Sequence, residues 1–269
     1  MDDDIQTKGE TGMSLLTIDK LSKSFGGLMA VSNVSLHVEK GSLVGLIGPN
    51  GAGKTTLFNV LTGVYTPSSG KVWFHDDFDV LLSDKKPHQI AQIGVARTFQ
   101  NIRLFKDLTV LDNIKIAMNQ QIDYGLFGSL LRLGSFYESE KQIHQKAIAI
   151  LNLVSLDSLA LELAKNLPYG KQRQLEIARA LATGSKLLFL DEPAAGMNPQ
   201  ETQELTQFIA HIRQSMDLTI VLIEHDMSLV MKICEKIFVL DYGKLIASGT
   251  PSEIKNNRRV IEAYLGEEE

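Results

Sequence analysis

Apolar and polar positions alternate from Leu15 to Leu21 and again from Ala30 to Val38, the period-two pattern of strands with one face buried. A short apolar run, Leu43 to Ile47, follows and ends at a glycine, so an antiparallel opening sheet is expected. The pattern turns helical from Lys54 to Gly63. A Pro-Ser-Ser-Gly turn at 67–70 then leads into a strand from Lys71 to His75, in which Trp73 reads as a packing residue. Between Ile90 and about Ala164 the periodicity is helix-like, clearest in Val110 to Met118 and Glu140 to Val154, and this middle section reads as a helical insertion. Its centre, Gly125 to Phe136, mixes glycines with an apolar surface that suits either a core or a contact face for a partner. From Lys186 onward strands and helices alternate: Leu187 to Leu190, a helix from Pro199 to about Gln214, Leu218 to Ile223, a helix from about Met227, and short strands at Ile237 to Leu240 and Lys244 to Ser248. Such alternation predicts a mainly parallel sheet covered on both faces.

A chain of 269 residues, 44% of them hydrophobic, buries enough surface for one large domain or a domain with a subdomain. No apolar run reaches eighteen residues, and the start Met1-Asp2-Asp3-Asp4 lacks the basic and apolar parts of a secretory signal, so the expectation is a soluble protein that stays inside the cell. Residues 1–13 are polar and aperiodic and read as a disordered tail. The net charge of -5 weighs against a protein that grips nucleic acid by its phosphates. The single cysteine, Cys234, sits in an apolar setting and reads as a buried core thiol.

Chemistry concentrates where apolar runs end. Gly48-Pro49-Asn50-Gly51-Ala52-Gly53-Lys54-Thr55 follows the Leu43 to Ile47 run and opens a helix, the strand-loop-helix context of a phosphate-binding loop. Glycines let successive amides point at phosphates, and the helix N-terminus adds its dipole. Lys54 supplies charge to the β/γ-phosphates, the Thr55 hydroxyl suits Mg²⁺, and Thr56 completes the candidate nucleotide contacts. The run Leu187 to Leu190 ends in Asp191, a candidate metal ligand, and Glu192, a candidate general base. His225 ends the run Thr219 to Ile223, flanked by Glu224 and Asp226, where it would reach the γ-phosphate region.

Leu167-Pro168-Tyr169-Gly170-Lys171-Gln172-Arg173-Gln174 and the helix it opens resemble the signature of ABC ATPases, and the segment precedes Asp191-Glu192 at that family's spacing. Phe25 resembles the adenine-stacking aromatic, Gln100 the Q-loop glutamine that serves both catalysis and metal, Ala195-Gly196-Met197-Asn198 the D-loop, and His225 the switch histidine. The resemblance spans residues 14–266 and implies an α/β fold: a P-loop ABC ATPase core with a mostly parallel sheet, an antiparallel β subdomain and a helical insertion subdomain at about 101–184. It also implies a paired machine, with ATP held between the cradle of one chain and Tyr169, Gly170 and Lys171 of the other chain's signature. Three positions depart from the usual Leu-Ser-Gly-Gly-Gln: Pro168 has neither hydroxyl nor N–H, Tyr169 replaces a glycine, and Lys171 replaces the glutamine.

Phe99-Gln100-Asn101-Ile102-Arg103-Leu104-Phe105, Gly125-Leu126-Phe127-Gly128, Ile223-Glu224-His225-Asp226-Met227 and Val260-Ile261-Glu262-Ala263-Tyr264-Leu265-Gly266 resemble the ATPase subunits of branched-chain amino acid importers. That resemblance implies a second, different ATPase subunit, two membrane permease subunits with a coupling helix seated on the Q-loop side, an extracytoplasmic solute-binding protein, and residence at the cytoplasmic face of the membrane. The alternatives are an importer of urea or short amides and an ABC ATPase that moves no solute. The second usually carries tandem cassettes or a long coiled-coil insertion, and neither pattern occurs in this sequence. A GTPase would need an Asn-Lys-x-Asp motif, which does not occur, and a small-molecule kinase would not account for the signature helix.

Overall fold

The computed structural model describes residues 14–118 and 134–265. The expected tail at 1–13 and the glycine-bearing stretch 125–133 lie outside the described residues. Among those described, ten strands form two sheets. The first is antiparallel and four-stranded: β1 (Ser14–Phe25), β2 (Leu28–Glu39), β4 (Ser69–His75) and β5 (Asp79–Leu81), in the order β2-β1-β4-β5. The second contains β3 (Leu43–Ile47), β6 (Val95–Arg97), β7 (Leu187–Asp191), β8 (Thr219–Ile223), β9 (Lys236–Asp241) and β10 (Lys244–Gly249), in the order β10-β9-β3-β8-β7-β6. Its pairs are parallel except β9 with β10.

The strands β3, β7 and β8 are buried at every position, which is why their sequences are continuous apolar runs rather than alternations. Their side chains still divide by parity. Leu43, Ile47, Leu188, Leu190, Ile220 and Leu222 join a core shared with the helices, whereas Val44, Leu46, Leu187, Phe189, Val221 and Ile223 join a core shared with the antiparallel sheet. The parallel sheet is thus the middle layer, and its strand tips open between the two cores' outer edges.

The helices are α1 (Lys54–Leu61), α2 (Pro87–Gln92), α3 (Val110–Met118), α4 (Gly134–Leu153), α5 (Tyr169–Ala182), α6 (Pro199–Met216), α7 (Met227–Ile233), α8 (Pro251–Lys255) and α9 (Arg258–Leu265). Helix α1 stops where Gly63, at φ +74°, takes the left-handed conformation that ends a helix without strain. Asn198 caps α6 by accepting the amides of Gln200 and Glu201, and Glu201 returns a bond to the Asn198 amide.

One local expectation is corrected. The helical texture read from Ile90 onward is interrupted by β6, a three-residue strand that pairs with β7 at the sheet edge, because a strand so short leaves no resolvable periodicity. Trp73 is half-buried on the outer face of β4, and the core packing of that strand belongs to its neighbours Val72 and Phe74. Cys234 is buried as expected, and burial pushes its thiol up to about 12.

Candidate functional site

The loop between β3 and α1 is shaped by glycines that no other residue could replace. Gly48 has φ +150° and a Cβ there would stand 2.0 Å from the Leu240 carbonyl oxygen; Gly53 has φ +97° and its Cβ would stand 2.3 Å from the Ala30 carbonyl oxygen. Packed this tightly behind, the loop turns its other side to a cleft of about 420 Å³ lined by Phe25, Leu28, Asn50 through Thr56, Glu192, His225 and Tyr242. Lys54 is buried, and its ammonium donates to the carbonyl oxygens of Gly48 at 2.5 Å and Pro49 at 2.7 Å, so the charge sits inside its own loop. At the mouth of the cleft Phe25 is 41% exposed, meets Tyr65 edge-on at 5.1 Å, and has the Lys23 ammonium 4.9 Å from its ring centre. An exposed ring held at its edge offers a free face for stacking.

Glu192 and His225 arrive from neighbouring strand tips. The His225 Nε2 lies 2.7 Å from Glu192 Oε1, and Gln100 donates through Nε2 to Glu192 Oε2 at 2.8 Å, so each carboxylate oxygen has a separate partner. Glu192 carries φ +46°, a conformation sparsely populated outside glycine and one that recurs where a side chain must be aimed. Asp191, one residue back, is buried, and its Oδ2 accepts from Arg97 Nη2 at 2.6 Å. Arg97 also donates to Asn59 Oδ1 at 2.6 Å and Thr62 Oγ1 at 3.3 Å, which ties the tip of β7 to α1. The Asp191 partner of Arg97 lies 94 residues away, so no local signal in the sequence marks Arg97.

Two further groups were missed. Arg173, on α5, is fully buried and donates to the carbonyl oxygens of Phe99 at 2.7 Å and Gln100 at 2.8 Å, and to Glu176 Oε2 at 2.7 Å. Burial raises the Glu176 carboxyl, opposed by the Arg103 amide and by Arg173. Glu224, at the end of β8, accepts the amides of Ala194 and His225. Burial is the main cause holding its carboxyl above the usual range, those amides oppose it, and the charge of Glu192 adds to the rise.

The structure therefore brings Phe25, Asn50, Gly51, Ala52, Gly53, Lys54, Thr55, Thr56, Glu192 and His225 to one cleft, with Gly48 and Pro49 joined to it through Lys54 and Gln100 through Glu192, while Asp191 does not line it and is held by Arg97. Tyr169, Gly170 and Lys171 do not line it. The Tyr169 hydroxyl donates to the Ala195 carbonyl at 3.1 Å, the Lys171 ammonium donates to Gln174 Oε1 at 3.0 Å, and a Cβ on Gly170 would meet open space.

A family model for ABC transporters matches residues 31–195, the span that holds the cradle, the Gln100 loop, the Tyr169 helix and Asp191-Glu192. The chain belongs to the ABC transporter family. A second model, for branched-chain amino acid ATP-binding cassette transporters, matches residues 244–269 of this cassette. The cassette is 48% identical over 253 residues to the high-affinity branched-chain amino acid transport ATP-binding protein LivG of Escherichia coli K12, covering 94% of this chain and 98% of the relative. It is 44% identical over 253 residues to BraF of Pseudomonas aeruginosa, with the same coverage. Among solved structures, the ADP conformation of MJ1267, an ATP-binding cassette of an ABC transporter, superposes with a TM-score of 0.80 at 30% identity over 94% of this chain and 99% of that one. The cassette is thus an ATP-binding transport ATPase, with the α/β core, antiparallel sheet and helices read from its sequence.

The far side of the Gln100 loop carries a groove of about 480 Å³ lined by Val64, Phe99, Arg103, Phe105, Ile116 and Arg179, among others. Phe105 and Ile116 are exposed large apolar residues, and the Arg103 guanidinium stacks 3.7 Å from the Phe99 ring centre. No described helix is long and apolar enough to cross a membrane.

Proposed function

We propose that this cassette hydrolyses ATP to power import of the branched-chain amino acids leucine, isoleucine and valine, and that Glu192 is its general base. The observation that carries the catalytic reading is the Glu192 carboxylate, held on one oxygen by His225 and on the other by Gln100 at the rim of the cradle cleft. A carboxylate so placed accepts a proton from a water that attacks the terminal phosphorus, while its two partners fix the direction of the acceptor oxygen. Phe25 stacks on the adenine, and the amides and lysine of Gly48 through Lys54, with Thr55 and Thr56, hold the phosphates. The residues that would hold a cation, Thr55 in the cleft, Gln100 bonded to Glu192 and Asp191 one residue before it, offer hard oxygens that fit Mg²⁺. When bound, Mg²⁺ supplies charge neutralisation to the phosphates; Arg97 holds Asp191 by one oxygen and fixes the other's direction.

Tyr169, Gly170 and Lys171, standing off this chain's own cleft, serve the nucleotide of a second ATPase subunit, and a different chain in that role accommodates the Pro168 departure. The groove beside Phe99 and Phe105 seats a coupling helix of one of two membrane permeases. An extracytoplasmic solute-binding protein delivers the cargo, and the cassette works at the cytoplasmic face without a nucleic-acid partner. The cargo reading rests on the likeness to LivG and BraF, and the domain reading places residues 14–266 in one nucleotide-binding domain with a helical subdomain at about 101–184.

The test is uptake of radiolabelled leucine, isoleucine, valine and urea by cells with the gene intact, deleted, or restored as Glu192→Gln. Deletion should abolish uptake of the three amino acids alone, wild type should restore it, and Glu192→Gln should not. The purified variant should lose turnover by on the order of 10²- to 10⁴-fold while still binding ATP. Equal turnover by wild type and variant overturns the general-base assignment; loss of urea uptake alone moves the cargo to short amides.

A further inference from the structure

Glu224 is only 4% exposed, and no step assigned above uses it. Its Oε1 accepts the Ala194 amide at 2.7 Å and its Oε2 accepts the His225 amide at 3.1 Å. Ala194 lies two residues beyond Glu192, and His225 meets the Glu192 carboxylate at 2.7 Å. One buried carboxylate therefore spans the two loops whose side chains converge above it. A buried carboxylate is costly unless its oxygens are hydrogen-bonded, and an apolar side chain in its place would leave the buried Ala194 amide and the part-buried His225 amide without this partner. Glu192 needs such a restraint, because its positive φ is held by its surroundings rather than by its own preference. The next residue, Ala195, accepts the Tyr169 hydroxyl, so the tied loop also touches the start of α5.

We propose that Glu224 is a positioning residue for ATP hydrolysis: by gripping the amides of Ala194 and His225 it sets the separation and direction of Glu192 and His225. The proposal rests on the reading of Glu192 as general base. Glu224 stays out of contact with the nucleotide and acts through the two groups it aligns. Replacing it with glutamine keeps its shape and one acceptor oxygen but turns an N–H₂ group toward a main-chain N–H, which pushes one loop away.

Steady-state ATP hydrolysis by the full-length protein tests this with Glu192→Gln, Glu224→Gln, His225→Ala and the Glu224→Gln/His225→Ala pair. Glu224→Gln should lower kcat by on the order of 10- to 100-fold and leave the KM for ATP within about twofold, since only alignment at the reacting end is disturbed. In the His225→Ala background the same change should cost several-fold less than in wild type, because the His225 half of the alignment is already lost while the Ala194 grip still matters. Should Glu224→Gln fail to fold, Glu224→Asp, which keeps the charge and shortens the reach, carries the same comparison with a smaller loss. Wild-type kcat in Glu224→Gln beside an inactive Glu192→Gln overturns the positioning role and leaves the general base standing, as do losses that multiply in the double variant. An active Glu192→Gln instead overturns the reading beneath the proposal.

Discussion

The loop from Gly48 to Thr55 shapes its cleft with main chain, whereas the segment from Arg97 to Gln100 is held by charged side chains sunk among apolar ones. In the loop, Gly48 and Gly53, both at positive φ, let carbonyls from β9 and β2 approach to distances at which a Cβ could not exist. In the Gln100 segment, Arg173 reaches from α5 to grip two successive carbonyls, and Arg97 anchors Asp191 to α1. The loop's motif lies within eight residues, and the charge it buries, Lys54, is satisfied by the loop's own Gly48 and Pro49 carbonyls. The Gln100 segment is specified by partners 35 to 94 residues away and depends on buried ions being satisfied. The first arrangement gives a rigid seat; the second makes the position of Gln100 depend on where α5 stands. That dependence suits a residue whose side chain holds Glu192 while its loop forms one wall of the Phe99 groove.

Breaking the buried pair should have the largest effect. Arg173→Ala leaves Glu176 buried without its cation and the Phe99 and Gln100 carbonyls without their donor, so urea unfolding should show a loss of about 3–5 kcal/mol. The Arg173→Met/Glu176→Leu pair, which removes both charges, should recover much of that stability but not ATPase activity, because Gln100 is still released. Recovery of both would mean that apolar packing alone places Gln100.

Gly53→Ala attacks the loop instead. At φ +97° and with Ala30 oxygen 2.3 Å from the new Cβ, the variant should lose about 1–3 kcal/mol of stability, read by the same unfolding curve. Calorimetric titration should show ATP affinity lower by on the order of tenfold or more, since a shift in the loop misdirects several amides at once. Unchanged affinity would show that the loop's shape is not what recognises the phosphates.

The same contrast explains what could be read from the chain. The cradle, Asp191-Glu192 and His225 each follow an apolar run buried on both sides, and a run ended by chemistry is a one-dimensional signal. The two-sheet, three-layer architecture follows from the change between alternating and continuous apolar strands. Strand β6 is hidden because three residues carry no period, and a large ring such as Trp73 does not reveal which face of its strand it takes. Arg97, Arg173, Glu176 and Glu224 were visible as letters and not as pairs, since each acquires its role from a partner on another element. Tyr169 could be flagged as a departure, yet its bond to the Ala195 carbonyl depends on how α5 sits against the loop after β7.

The smallest expected effect comes from the most local device. Asn198-Pro199-Gln200-Glu201 writes a helix start into four consecutive residues: a side-chain cap, a proline in the first turn and a returning glutamate. Asn198→Ala removes the acceptor of the Gln200 and Glu201 amides, which should cost about 1 kcal/mol in urea unfolding. Those amides can turn to water because Asn198 is exposed, so the penalty stays far below that of Arg173→Ala. Turnover should remain near wild type, because Glu224 grips Ala194 four residues earlier and holds the Glu192 loop independently of the cap. A large fall in kcat for Asn198→Ala would place the hinge of that loop at α6 rather than at β8, and would assign to a local cap the work here given to a long-range carboxylate.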